Sequence, residues 1–342
     1  MNSTRFISPA IRKIEVEEFD LGAVPDDGIL VENEYTAVSI GTEIYNWKHG
    51  GEPGSEPTFP RITGYCNVGR VLEVGSGVEG VQVGDRVAGQ GNHASHNILR
   101  AGSGYQVVPT DVDSKSAAFM VMAAIALHGV RVAQIELGAS VVVFGLGLVG
   151  QLCGQLARLC GATPIIGVDL DEFRIDRASQ HACDTGINPT NVADLRQEIV
   201  DRCPEDGANI VLECTGLPRV FPQATGLACL GGKLVAVGSP RGTVDMDFLQ
   251  DVHLREVSIH GAHQPKTPED DHILPLDQDA GASSRAAPDG SWPTASIPPD
   301  HARVCSPRVP GATLRRDLRL FAKLSLPRSM AECVHGVVSK TV

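Results

Sequence analysis

The sequence predicts an α/β protein in two parts, a small β-barrel or sandwich followed by a doubly wound parallel sheet. Residues 1 to about 112 hold short, β-branched, partly alternating apolar runs between glycine turns. From residue 140 to 261, apolar strand segments alternate with helical ones, the pattern of a parallel sheet. Where the second part begins, Val141-Val142-Val143-Phe144 runs straight into Gly145-Leu146-Gly147-Leu148-Val149-Gly150. A length of 342 residues suits two domains.

In chain order, Ile29-Leu30-Val31 to Val38-Ser39-Ile40 and Val68–Val74 read as strand material. Gly75, Gly77, Gly80 and Gly84 then punctuate the chain up to Asp85-Arg86-Val87. Ala117 to Val132 reads as a buried helix ending near His128. The parallel-strand candidates are Ser140–Phe144, Pro164–Val168, Asn209–Leu212, Lys233–Val237 and Val257–Gly261. In the helix after the first of them, Leu148, Val149, Leu152, Cys153, Leu156, Leu159 and Cys160 recur at helical spacing on one apolar face. On that pattern both cysteines are core residues.

The glycines have separable physical tasks. Gly145 allows a tight turn, Gly147 lets a pyrophosphate approach the backbone, and Gly150 lets helix and strand pack closely. The helix N-terminus presents free N–H groups to phosphates. Asp169 lies nineteen residues past Gly150, at the end of the next apolar run. A carboxylate there accepts both ribose hydroxyls and repels a 2′-phosphate, so the expected cofactor is NAD rather than NADP. Two plainer readings compete. Similar loops occur in methyltransferases, and Asp169 could cap the helix beginning near Asp171-Glu172.

Composition narrows the function class. Apolar residues make up 42% and aromatics 4%, so the core is aliphatic. A net charge of −12 argues against nucleic acid or an anionic membrane as partner. The nine cysteines are odd in number and form no C-x-x-C, which fits a reduced, cytoplasmic setting. Met1 to Asp20 is polar, without the apolar stretch of a secretory signal. The longest apolar run, Ala117 to Leu127, is eleven residues, too short to span a bilayer. The expected partner is a small-molecule substrate.

These motifs occur in the order found in the medium-chain dehydrogenase/reductase superfamily, the zinc alcohol dehydrogenase-like fold, which residues 10 to 263 resemble. Val68–Gly77 with Gly84-Asp85-Arg86-Val87 resembles the family's GroES-like β-barrel domain. Gly145–Gly150, Glu213-Cys214-Thr215-Gly216 and Gly231–Gly238 resemble its Rossmann domain. The resemblance implies a GroES-like catalytic domain over 1–115 and an NAD-binding domain over 116–263. It places Leu146, Gly147, Leu148 and Val149 along the pyrophosphate, Asp169 and Arg174 at the adenosine ribose, and Thr215, Val237 and Ser239 toward the nicotinamide. For Thr215 and Ser239, an ordinary strand-end turn is the plain alternative. The resemblance also implies a homo-oligomer, with Val257-Ser258-Ile259-His260 as the edge strand.

The departures bear on mechanism. Ile40 stands where zinc members carry a catalytic Cys, and Tyr65 stands where they carry His. The third ligand should fall near Val121-Met122, and residues 86–110 hold no cysteine for a structural zinc lobe. A catalytic zinc takes three protein ligands of N, S or O type. No metal is therefore expected. Ser39-Ile40-Gly41-Thr42-Glu43 resembles a zinc-less branch that includes the bacteriochlorophyllide hydroxyethyl dehydrogenases. Without zinc a side chain must handle the proton, and the candidates are Thr42, Glu43, Tyr65, His93, His96 and His128. Histidine has the most suitable ordinary pKa; the plain alternatives are a solvated loop position for His93 and His96 and a core histidine for His128. The expected activity is NAD-linked interconversion of a secondary alcohol and a ketone. An enone or quinone reductase of the same superfamily and a non-catalytic nucleotide-binding relative are the alternatives.

Past His263 the pattern breaks. Residues 264–342 hold ten of the 22 prolines, and from His301 onward the charge is basic. One expectation is a frameshift after about residue 270, because the composition looks like GC-rich DNA translated in a shifted frame. A disordered tail, and a divergent but folded one with Leu314–Leu324 as a short helix, are the others.

Overall fold

The computed structural model describes residues 1–263 and the strand Val338–Lys340. The chain opens with β1 (Asn2–Ser8), β2 (Glu15–Asp20), β3 (Gly28–Ala37) and helix α1 (Ile40–His49). β4 (Arg61–Ile62), β5 (Asn67–Val74), β6 (Arg86–Gly89), β7 (His96–Arg100) and β8 (Gln106–Val107) follow. One antiparallel sheet has the order β2-β1-β4, and a second runs β3-β5-β6-β8 with β7 also on β3. Ile29, Val31, Val71, Val87 and Leu99 fill the space inside the second sheet. The central strand β3 is buried along most of its length, while β7 alternates between buried and more exposed residues.

Helix α1 corrects the all-β reading of this part. Ile40, Ile44 and Trp47 recur there at helical spacing, but the segment is short and buries none of its residues fully. Local electrostatics define it instead, with Glu43 in the first turn and Lys48 and His49 in the last. Gly50 ends it in the left-handed region at φ 79°, where its N–H bonds the Asn46 carbonyl.

The expected buried helix is two helices, α2 (Ser114–Ala117) and α3 (Met120–Ala133). His128 therefore lies inside α3 rather than at its end. The second part is built from β9 (Val141–Phe144), α4 (Leu148–Leu159), β10 (Ile165–Val168), α5 (Glu172–His181), β11 (Thr185–Ile187), α6 (Leu195–Val200), β12 (Ala208–Glu213), α7 (Phe221–Gly226), β13 (Ala228–Ala236) and β14 (Ser258–Gly261). All six strands are parallel, in the order β11-β10-β9-β12-β13-β14. This is a doubly wound Rossmann sheet with its switch point between β9 and β12. β9 and β10 are wholly buried, as strands covered on both faces must be.

β11 is absent from the strands expected above. Its Thr-Gly-Ile core offers no apolar run, and it survives as a short edge strand because Gly186 admits Ile175. Cys153 is fully buried on α4, but Cys160 is exposed just past the end of that helix. The apolar face of α4 runs out of core there, since Leu159 is exposed too. The tail's expected helix at Leu314–Leu324, its frameshift and its disorder all fall outside the described residues. The final strand, β15 (Val338–Lys340), pairs antiparallel with residues 35–37 of β3, beyond the stretch that β7 covers.

Candidate functional site

Register brings the strand ends to one edge. Phe144 lies level with Val168 and Glu213, and Glu213 with Ala236. Gly145, Asp169, Cys214 and Val237 therefore emerge side by side at the carboxyl edge of the sheet, with Thr215 next along, where the switch point opens a crevice. Gly145 has φ 97°, and a Cβ on it would lie 2.6 Å from the Thr215 methyl. Around Gly147 a Cβ would meet nothing within 4 Å, so the approach to the N-terminus of α4 is open. A Cβ on Gly150 would sit 1.8 Å from the Gly145 carbonyl. Gly145 thus makes the tight turn, and Gly150 allows the close approach of helix and strand.

Asp169 is not a helix cap; Asp171 is, accepting the Phe173 N–H. The Asp169 carboxylate instead accepts the Leu146 N–H at 2.7 Å and the Asp171 N–H at 3.0 Å. It thereby ties the second strand end to the glycine loop. Arg174 lies 3.6 Å from Asp169 and 3.7 Å from Asp171. Leu146 turns its side chain into the core, while Gly147, Leu148 and Val149 remain partly exposed at the start of the helix.

Thr215 donates its hydroxyl hydrogen to the buried Glu213 carboxylate and accepts the Leu217 N–H. Its plain role is to shape the turn beneath Gly145. Glu213 is fully buried and also accepts the N–H groups of Thr215 and Gly216. Burial pushes its carboxyl up from the ordinary value, and the Thr215 bonds oppose this. Val237 is buried and Ser239 exposed, with Gly216 packed against the Ser239 backbone.

The second half of the site comes from the antiparallel part. Glu43 on α1 bonds the Ser39 N–H through one carboxylate oxygen at 2.7 Å. Its other oxygen meets His93 Nε2 at 2.8 Å. His93 is 7% exposed, and its Nδ1 is buried without a hydrogen-bond partner. The ring sits on Gly64, where a Cβ would come within 2.5 Å of it. Tyr65 adjoins that glycine and lies close to the Ser39 and Thr42 side chains, whose polar groups favour its anion. Burial pushes the Tyr65 hydroxyl up, with the neighbouring Cys66 and Glu43 adding to the effect. Thr42, Glu43, Tyr65 and His93 thus converge. His96 lies elsewhere, bonded to Ser95 on β7, and His128 is half-buried on α3 beside Gly129, which abuts Val237. Tyr65 packs against the same core as Met122, Leu146 and Val237, which sets this polar cluster at the junction with the parallel sheet.

Ile40 is exposed and has no donor atom. Burial pushes the Cys66 thiol far up from its ordinary value. Among the described residues, no group of three or more His, Cys, Asp or Glu is arranged to hold a metal.

Two family models match the chain, "Alcohol dehydrogenase GroES-like domain" over residues 25–115 and "Zinc-binding dehydrogenase" over residues 149–273. The chain belongs to the medium-chain dehydrogenase/reductase superfamily. It is an alcohol dehydrogenase-like oxidoreductase. Among its superfamily relatives, D-xylulose reductase A of Aspergillus oryzae is 27% identical over 297 residues, covering 75% of this chain and 81% of the relative. D-guloside 3-dehydrogenase of Escherichia coli is 35% identical over 177 residues, 51% of this chain and 50% of the relative. In structure, 2R,3R-butanediol dehydrogenase from Bacillus subtilis shares the fold with a TM-score of 0.69 at 21% identity, over 84% of this chain and 90% of the other. Among the described residues, no helix is long and apolar enough to cross a membrane.

Sequence reasoning missed Ser39 as a neighbour of Tyr65 and a partner of Glu43, and Glu213 as the buried anchor of the Thr215 turn. A serine inside an apolar stretch and an acid closing an apolar strand were the available signals.

Proposed function

We propose that this protein interconverts a secondary alcohol and a ketone with NAD and without catalytic zinc. The observation that carries the proposal is the convergence of Thr42, Glu43, Tyr65 and His93 at the junction with the glycine loop. Bound NAD would accept hydride from the carbinol carbon. The side chains then have to manage the hydroxyl proton within about 3 Å of the substrate oxygen. Tyr65 stays protonated because burial disfavours its anion, so it donates a hydrogen bond to the substrate oxygen. Thr42 adjoins Glu43 and accepts from the substrate hydroxyl. The Glu43–His93 pair takes up the proton that leaves.

Asp169 supports NAD over NADP, because a carboxylate beside the glycine loop repels a 2′-phosphate. The relatives' names describe a ketose reductase, a glycoside dehydrogenase and a diol dehydrogenase, all hydroxyl–carbonyl interconversions. Polyols are therefore the first substrates to screen. A hydroxyethyl group on a bacteriochlorophyllide is the second class, from the resemblance at residues 39–43. Domains at 1–115 and 116–263, a cytoplasmic setting and association through the edge strand β14 belong to the same proposal. Sedimentation showing a monomer would remove the last of these.

The test is calorimetric titration with NAD and NADP, with metal assayed on the same sample, followed by a secondary-alcohol screen. NAD binding at least about tenfold tighter than NADP, a difference of about 1.4 kcal/mol, is expected with no stoichiometric zinc. Stoichiometric zinc needed for turnover would overturn the metal-free reading. NAD binding without turnover would leave a nucleotide-binding protein.

A further inference from the structure

The loop after β13 sends Arg241 across to the antiparallel part of the molecule. Its guanidinium makes two parallel bonds to Glu52, Nε to Oε2 and the terminal nitrogen to Oε1, both at 3.0 Å. The same group stacks over Tyr45 of α1, 4.6 Å from the ring centre, and Tyr45 in turn packs on His49. Arg241 is only 12% exposed, although Glu52 is 60% exposed in a Gly/Pro-rich loop. Arg61 and His263 add positive charge around Glu52, whose carboxyl lies below its ordinary value mainly through the Arg241 bonds.

This arrangement is unlike an ordinary surface pair. The fork is bidentate, the cation is nearly buried, and one face is covered by an aromatic ring, which together fix its position. Arg241 follows Val237 and Ser239, the residues expected toward the nicotinamide. Tyr45 lies on α1 and Glu52 just past its end, and α1 carries Thr42 and Glu43. We infer that Arg241 is a positioning residue, a clamp that holds α1, and with it Thr42 and Glu43, over the nicotinamide end of the parallel sheet. The assignment of a reacting group to that end rests on the function proposed above; the clamp itself rests on the contacts.

Two measurements on the full chain separate these claims. Hydrogen exchange is followed over residues 40–52 in the wild type, Arg241→Met, Glu52→Gln and the swapped double variant Arg241→Glu/Glu52→Arg. Both single variants are expected to raise exchange there by about threefold or more, and the swap to restore part of it. Protection of β9 and β10 should not change. Turnover of the screened alcohol is measured beside NADH affinity by nicotinamide fluorescence. A fall in kcat of about tenfold or more with less than about a threefold change in affinity marks a positioning role. Unchanged exchange over 40–52 overturns the clamp. Raised exchange with unchanged kcat overturns the positioning role. If no alcohol is turned over by the wild type, the functional proposal fails, and exchange alone still decides the clamp.

Discussion

At the scale of single residues, two carboxyl groups do opposite things, one tied to the glycine loop and one locked in the core. The Asp169 side chain accepts two backbone N–H groups, which fixes it beside the glycine loop. Asp169→Asn should weaken NAD binding about tenfold and narrow the gap to NADP, as read by titration. Equal preference in wild type and variant would remove Asp169 from cofactor selection. Glu213 is the reverse case, a carboxyl raised above its ordinary 4.5 by burial. The folded protein therefore keeps a proton that the unfolded chain has released. Stability is full below the ordinary value and falls as pH rises through the raised one. Urea unfolding across pH 4 to 8 should show this decline, and Glu213→Gln should flatten it (roughly the window set by ordinary carboxylates). An identical slope in the variant would refute the assignment. In the polar cluster, Glu43→Gln and His93→Ala should each lower kcat by about a hundredfold or more while leaving NAD affinity intact. Loss of affinity instead would make the pair a scaffold.

At the scale of elements, the decisive contact is between the glycine turn and the first turn of α4. Gly150→Ala would drive a methyl onto the Gly145 carbonyl, 1.8 Å away, and backbone must move. Such overpacking costs about 1–3 kcal/mol and displaces the N–H groups that would face phosphate. Thermal unfolding and NAD titration of the variant should both register it. An alanine variant that binds NAD normally would show that the turn is not used. Much of this element was legible beforehand, since the spacing of Gly145, Gly147, Gly150 and Asp169 follows from backbone geometry. Helix α1 and strand β11 were not legible. Both are short and partly exposed: α1 carries Ile40, Ile44 and Trp47 at helical spacing but buries none of its residues fully, and β11 offers no apolar run. The exposed Cys160 has the same origin, because a helical pattern does not say where the covering element stops.

At the scale of the whole molecule, one hydrophobic cluster joins the two parts. It runs from Ala37, Cys66 and Val68 through Phe119 and Met122 to Val141, Leu152 and Val237. A shared core couples the stability of the parts it joins. Calorimetry should give a single unfolding transition, and Phe119→Ala should move it as a unit at a cost of about 3–5 kcal/mol. Two separated transitions, with only one displaced, would show that the parts unfold independently.

By itself the sequence determined the two-part α/β architecture, the glycine loop and its acid, and the absence of the usual metal-ligand types at positions 40 and 65. These are local matters, decided by backbone sterics, apolar period and side-chain chemistry. Tertiary structure alone decided which of the candidate proton carriers meet. Glu43 and His93 are fifty residues apart in the chain, and Arg241 and Glu52 are further apart still. Such pairings depend on how strands turn and sheets pack over long separations, and no local rule of sequence encodes that distance.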